Sequence, residues 1–174
     1  RHMLATAIVL PGPAAVRYPR GAGLGVALTD SFEKLPVGKA EVLQEKGEIA
    51  FLAVGTMVEH AKVAAAILAE EGIEAAVVNM RFIKPLDTAL IDAMAKTKKL
   101  IITAEENVLA GGFGSAVAEY LADSGQQVPL VRFGIPDRFI EQGTRKELLS
   151  LCGLQPEQMA ECVRERLSHL APEA

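Results

Sequence analysis

Ile49-Ala50-Phe51-Leu52-Ala53-Val54, followed at once by Gly55-Thr56, is an unbroken apolar run with no polar alternation. At this length it reads as a strand buried on both faces. Working outward, comparable runs begin at Glu74 (EAAVVN), Leu100 (LIITA) and Val128 (VPLVRF), so that the four starts lie 25, 26 and 28 residues apart. The segments between them carry helical periodicity. Thr56 to Glu71 places Val58, Ala61, Ala65 and Leu68 on one face. Thr56 with Glu59 predicts a capping box, and Gly72 closes that helix. Asp87 is the predicted cap of a second helix bearing Leu90, Ile91 and Met94. A third helix starts near Gly114 and carries Val117, Tyr120 and Leu121. Strand, helix, strand at this period means right-handed parallel crossovers, hence a three-layer α/β domain. Two further helices are expected, from about Arg145 to Cys152 and from Pro156 to Leu170, and Glu41-Val42-Leu43 is a short strand that Gly47 ends.

Before Ala40 the pattern is irregular. Arg1-His2-Met3 reads as a cloning scar. Leu4 to Leu10 is apolar and fits either a helix end or a strand; Pro11-Gly12-Pro13 breaks it. Ala14-Ala15-Val16-Arg17-Tyr18 is expected to be a short strand stopped by Pro19. Residues 22–38, with Gly23, Gly25 and Pro36, form a linker, and residues 39–174 are the domain.

Composition narrows the function. Half of the 174 residues are apolar and only 5% are aromatic, an aliphatic balance that suits an α/β core. The net charge of −4, without any block of Lys or Arg, gives nucleic-acid binding no electrostatic basis. No apolar run approaches the roughly 20 residues of a membrane span. Cys152 and Cys162 form no C-x-x-C, and with three histidines in all the chain offers no zinc or redox spacing. Both read as ordinary thiols of a cytosolic protein.

Several motifs bear on chemistry. Gly21-Ala22-Gly23-Leu24-Gly25 resembles part of a dinucleotide fingerprint, but no helix of useful length follows it to hold a pyrophosphate, so it reads as linker. Gly111-Gly112-Phe113-Gly114-Ser115 follows the LIITA strand and opens a helix, so its amides could meet an anion. It contains no Lys or Arg, and close helix–strand packing explains its glycines. Glu105 and Glu106 stand where α/β sheets hold ligands, yet adjacent strand residues face opposite ways, which rules out a shared acid/base pair. One of them is expected to cap or pair locally. His60 is expected to be solvated on the polar face of its helix. Asp137-Arg138, after Gly134-Ile135-Pro136, predicts a turn with an ion pair. No nucleophile elbow, catalytic triad or metal-ligand cluster emerges, so no catalytic, cofactor-binding or metal residue is assigned.

Read in order, G-P-A-A-V-R-Y-P-R-G at Gly12–Gly21, Gly55-Thr56-Met57, R-F-I-K-P-L-D at Arg81–Asp87, Glu105-Glu106-Asn107, G-G-F-G-S at Gly111–Ser115, and G-I-P-D-R-F-I at Gly134–Ile140 with Gly143-Thr144 after it resemble the C-terminal end of the 1-deoxy-D-xylulose-5-phosphate synthases, a transketolase-like family, over nearly the whole chain. The resemblance implies a mostly parallel sheet of about five strands with one antiparallel edge strand. It implies that residues 4–21 are the last strand of a preceding pyrimidine-binding domain. It further implies a homodimeric, cytoplasmic parent enzyme using thiamine diphosphate and Mg to condense pyruvate with glyceraldehyde 3-phosphate with loss of carbon dioxide. The diphosphate- and pyrimidine-binding domains would lie in the remainder of that chain, leaving this fragment without bound cofactor and inactive alone. One family role maps here: Arg20 matches the arginine that binds the phosphate of the aldehyde substrate, while Arg17 matches a structural arginine. R-x-x-x-P-L-D also occurs in 2-oxoacid dehydrogenase E1-type enzymes, which stand as an alternative parent, as does a standalone α/β interaction module.

Overall fold

The computed structural model describes residues 1–19, 21, 23, 25–28 and 30–170. Five strands form one sheet in the order β1-β3-β2-β4-β5: β1 (Glu41–Gln44), β2 (Ile49–Ala53), β3 (Ala75–Asn79), β4 (Leu100–Val108) and β5 (Leu130–Ile135). β2 runs parallel to β3 and β4, and β4 parallel to β5. β1 alone is antiparallel, hydrogen-bonded to β3 at the edge with a register slip between Val42 and Gln44. This is the mostly parallel sheet with one antiparallel edge strand that the family resemblance implies.

Alternation along the strands divides the core in two. Ile49, Phe51, Ala53, Val77, Ile102 and Ala104 point to the face covered by α2 (Met57–Glu70), α5 (Arg145–Leu151) and α6 (Pro156–Leu170). Ala50, Leu52, Val78 and Ile101 point to the face covered by α3 (Thr88–Thr97) and α4 (Phe113–Asp123). All five residues of β2 are buried, which explains why the central strand reads as a solid apolar run.

The loop after β3 locks the start of the domain to α3. Asp87, almost fully buried, caps α3 by accepting from the Leu90 amide at 3.3 Å, as the sequence predicts, and also takes the Ala40 amide at 3.0 Å and Lys39 Nζ at 3.2 Å. Burial pushes its carboxyl up, but these three donors more than offset that and hold it below the ordinary value. Arg81, with a left-handed φ of 57°, pairs with Glu41 at 2.7 Å in the same corner.

The arm departs from expectation. Residues 2–8 form a helix, α1 (His2–Ile8), which settles the open reading of that stretch. Ala14–Tyr18 is not a strand: no described strand pairs with it, and an isolated extended segment has no ladder to join. α1 instead folds back on residues 33–35, where the Leu35 amide donates to Thr6 Oγ1 and the Glu33 amide to His2 Nδ1, both at 2.8 Å. The Arg1 guanidinium lies 4.5 Å above the Phe32 ring. Among the described residues from Gly25 to Pro36 there is no helix.

Candidate functional site

The C-terminal ends of the parallel strands gather most of the polar groups that the sequence singles out. β4 is the longest strand and runs past the end of β2. Its register with β5 slips between Ala104 and Val108, so Glu105, Glu106 and Asn107 oppose Gly134 alone. Alternation then sends the two glutamates to different helix layers.

Glu105 turns to the α4 side and is 1% exposed. Its carboxylate accepts the amides of Phe113 and Gly114, each at 2.7 Å. These are the first amides of α4, where orphan N–H groups and the helix dipole favour an anion. The chain thus supplies its own anion to the glycine loop. The glycines serve this contact: a Cβ on Gly112 would collide with the Glu105 carboxylate and the Val108 carbonyl, and one on Gly114 would lie 2.7 Å from Thr103 Oγ1. Ser115 Oγ closes the loop by donating to the Leu109 carbonyl at 2.6 Å, and Arg132 donates to it at 3.0 Å.

Glu106 turns to the α2 side and meets α5. Arg145 grips it with a fork, Nε to Oε1 at 2.9 Å and Nη2 to Oε2, while Thr56 Oγ1 donates to Oε2 at 2.6 Å. Arg145 Nη2 also reaches Thr56 Oγ1 at 3.1 Å. The Arg145 guanidinium, helped by the Thr56 hydroxyl, holds the Glu106 carboxyl below the ordinary value against the opposing effect of burial, and Glu106 in turn raises Arg145.

This cluster overturns the predicted capping box. Thr56 is the N-cap of α2 but makes no side-chain cap hydrogen bond, because its hydroxyl is committed to Glu106. Glu59 pairs with Lys62 instead. A capping box does form, at α5, between Thr144 and Glu147. His60 is not simply solvated either: it is partly buried, with Nδ1 2.7 Å from the Leu154 carbonyl between α5 and α6. Among the described residues Asp137 and Arg138 make no ion pair; their turn is held by the backbone, Arg138 N–H to Pro136 O at 2.7 Å. Sequence reasoning missed Arg145 altogether. Its only signal is its place after Gly143-Thr144, and nothing local points to partners 39 and 89 residues away.

The arm touches the same place. Arg17 Nη2 lies 3.5 Å from the Glu106 carbonyl oxygen. Arg20, the expected phosphate-binding residue, lies outside the described residues.

The donor set does not suit thiamine diphosphate and its metal. Among the described residues, no group of three or more His, Cys, Asp or Glu side chains could hold a metal ion. The two leading amides of α4, the natural seat for a diphosphate, are taken by Glu105. Also among the described residues, no helix is long and apolar enough to cross a membrane.

Comparison with known proteins agrees with this architecture. A 1-deoxy-D-xylulose-5-phosphate synthase of Pelotomaculum thermopropionicum is 53% identical over 97% of this chain, and one of Thioalkalivibrio sulfidiphilus is 52% identical over 97%. The chain spans about a quarter of the length of these curated relatives, 26% of each. Among solved structures, a protein described as "Split gene transketolase, inactive beta4 tetramer" superposes with a TM-score of 0.72 at 36% identity, over 78% of this chain and 44% of that one. Transketolase from Campylobacter jejuni shares the fold, with a TM-score of 0.55 at 20% identity over 74% of this chain and 18% of its own. A protein-family model described as "Transketolase, C-terminal domain" matches residues 38–159, that is the sheet, α2 to α5 and the first turn of α6, and the chain belongs to that family.

Proposed function

We propose that this chain is the C-terminal part of a 1-deoxy-D-xylulose-5-phosphate synthase, a thiamine-diphosphate-dependent transferase condensing pyruvate with glyceraldehyde 3-phosphate with loss of carbon dioxide. One observation carries the reading: identity above 50% to proteins of that name runs through 97% of the chain, arm included. A likeness of fold alone would be confined to the domain. The rest of the synthase chain, and a second copy of it in a cytoplasmic homodimer, are the partners that this reading supplies.

Within such an enzyme the domain acts as a platform. Its anion-binding helix start is internally neutralised by Glu105, so the cofactor and metal belong to the remainder of the chain. The contribution of this chain to the substrate is Arg20, whose planar guanidinium suits a phosphate through its fixed fork of donors. Residues 4–21 form the last strand of the preceding domain only when that domain is present.

Two measurements test the proposal. Calorimetry of this chain with thiamine diphosphate and Mg should show no binding, and micromolar affinity would refute the platform role. In the intact synthase, Arg20→Ala should weaken use of glyceraldehyde 3-phosphate by about ten- to a hundredfold, corresponding to roughly 1.5–3 kcal/mol for a charge-assisted contact. Unphosphorylated glyceraldehyde should lose much less. Equal losses for the two aldehydes would mean that Arg20 shapes the site without holding phosphate.

A further inference from the structure

The parallel strands all end at one rim of the sheet, and the domain is entered at that same rim. β1 starts opposite Asn79, the last residue of β3. Just before it, Gly38 is pressed so close to Pro85 that a Cβ would lie 2.9 Å from the proline Cγ. Lys39 and the Ala40 amide are held by Asp87. Whatever precedes Gly38 is therefore tethered beside the loop that follows β3.

Two apolar side chains project from this rim. Phe139, in the loop after β5, is fully exposed, whereas Phe51 and Phe113 are wholly buried and Phe133 nearly so. Among the described residues it is the most exposed large apolar side chain. Its loop is held at both ends. Pro136 restricts the chain as it leaves β5, the Arg138 amide donates to the Pro136 carbonyl, and the Thr144–Glu147 capping box closes the far side. The second side chain is Ile83, nearly half exposed, in the loop after β3. β3 and β5 are three strand spacings apart in the sheet, roughly 14 Å, a span that one partner surface of ordinary size covers. Along the same rim, charges are already paired within the domain: Glu106 with Arg145, Asp87 with Lys39, and Glu41 with Arg81. Covering them strands no lone ion of that set in a dry interface. A ring held out on a fixed loop also needs little ordering when a partner closes over it.

We propose that Phe139 is a docking anchor for the polypeptide that precedes this chain in the intact synthase, with Ile83 as a weaker second contact. The inference rests on the synthase reading. The tether selects the occupant: a segment joined at Gly38 meets the rim as an intramolecular partner, at an effective concentration on the order of millimolar. A second copy would instead have to meet the full entropy cost of association. The partner surface that fits is an uncharged apolar hollow, since the paired charges of the rim need no counter-ion.

The test is hydrogen–deuterium exchange of residues 136–143, read in the 174-residue chain and in the intact synthase, with formation of 1-deoxy-D-xylulose 5-phosphate measured alongside. In the isolated chain the segment should exchange fast, whatever the protein concentration. In the intact enzyme it should exchange about tenfold or more slowly, and F139A should abolish most of that protection. I83A should abolish less of it. L151A, which trims an exposed leucine at the far end of α5, should abolish none. In the isolated chain F139A should leave the urea midpoint where it is, because an exposed ring contributes no buried contact there. An active synthase whose segment exchanges as fast as in the isolated chain overturns the docking and leaves the synthase reading in place. So does protection that survives F139A, or that L151A removes equally. Protection in the isolated chain that rises with concentration would put a second copy on the rim and overturn the choice of occupant. An intact protein that forms no 1-deoxy-D-xylulose 5-phosphate would instead overturn the synthase reading, and this inference with it.

Discussion

Glu105 and Glu106 are neighbours of identical chemistry, and each meets the first residues of a helix, yet they live in different physical worlds. Glu105 is sealed beneath α4 with two backbone amides as partners. Glu106, with a quarter of its side chain in solvent, is held by an arginine and a threonine from two other elements. One-residue alternation across a sheet separates them. The difference teaches that the environment, more than the charge, decides how much a carboxylate is worth. A buried acceptor with no water to replace it is costly to remove, whereas an exposed ion pair is nearly balanced by the hydration it gives up.

The sharpest way to break the comparison is to remove the buried partner. Glu105→Ala strands the Phe113 and Gly114 amides in a dry site and should cost about 3 kcal/mol in urea unfolding, with Glu105→Gln recovering part of it. A loss under about 1 kcal/mol would mean that water enters freely. Next comes Gly112→Ala, which pushes a methyl group onto the Glu105 carboxylate and the Val108 carbonyl. Backbone on one side leaves little room to yield, and a cost of about 2 kcal/mol is expected. Glu106→Gln should cost only about 1 kcal/mol at neutral pH.

That last difference should depend on pH in a defined direction. The carboxyl of Glu106 titrates lower in the folded chain than in the unfolded one. Its contribution is therefore fully present above the ordinary glutamate pKa and is lost as pH falls through the folded value. Wild type and Glu106→Gln should begin to converge in stability as pH falls below about 4, and a constant gap down to acid pH would refute the ion-pair account. Smallest of all, Thr56→Val should cost about 0.5 kcal/mol, and much of that should vanish in the Glu106→Gln background because the hydroxyl and the carboxylate act as a unit.

The sequence foretells one half of this pair better than the other. Buried runs set 25 to 28 residues apart announce the strands, and Asp87 announces its helix, because such signals are local. Opposite faces for Glu105 and Glu106 follow from the period of a strand. That Glu105 would take the α4 amides is within reach of the same reasoning, since loop and strand end are eight residues apart. Arg145 is not, because only the folded chain brings α5 beside β4. The capping box at Thr56 fails for a related reason: a stronger, distant acceptor outcompetes the local one. Ala14–Tyr18 has strand composition, but composition cannot supply a neighbouring strand.

The pairing of α6 with α2 carries a consequence for how the molecule is made. Met159, Ala160 and Val163 of α6 complete the core that Ala61, Ala65 and Leu68 of α2 begin. A ribosome delivers α6 well after α2, whereas α3 and α4, which cover the opposite face, appear between them in close succession. During synthesis one side of the sheet can be roofed while the other stands open, its alanine-rich helix awaiting α6. A message cut short even slightly before Met159 would release a half-covered sheet, the kind of product that chaperones retain and proteases clear.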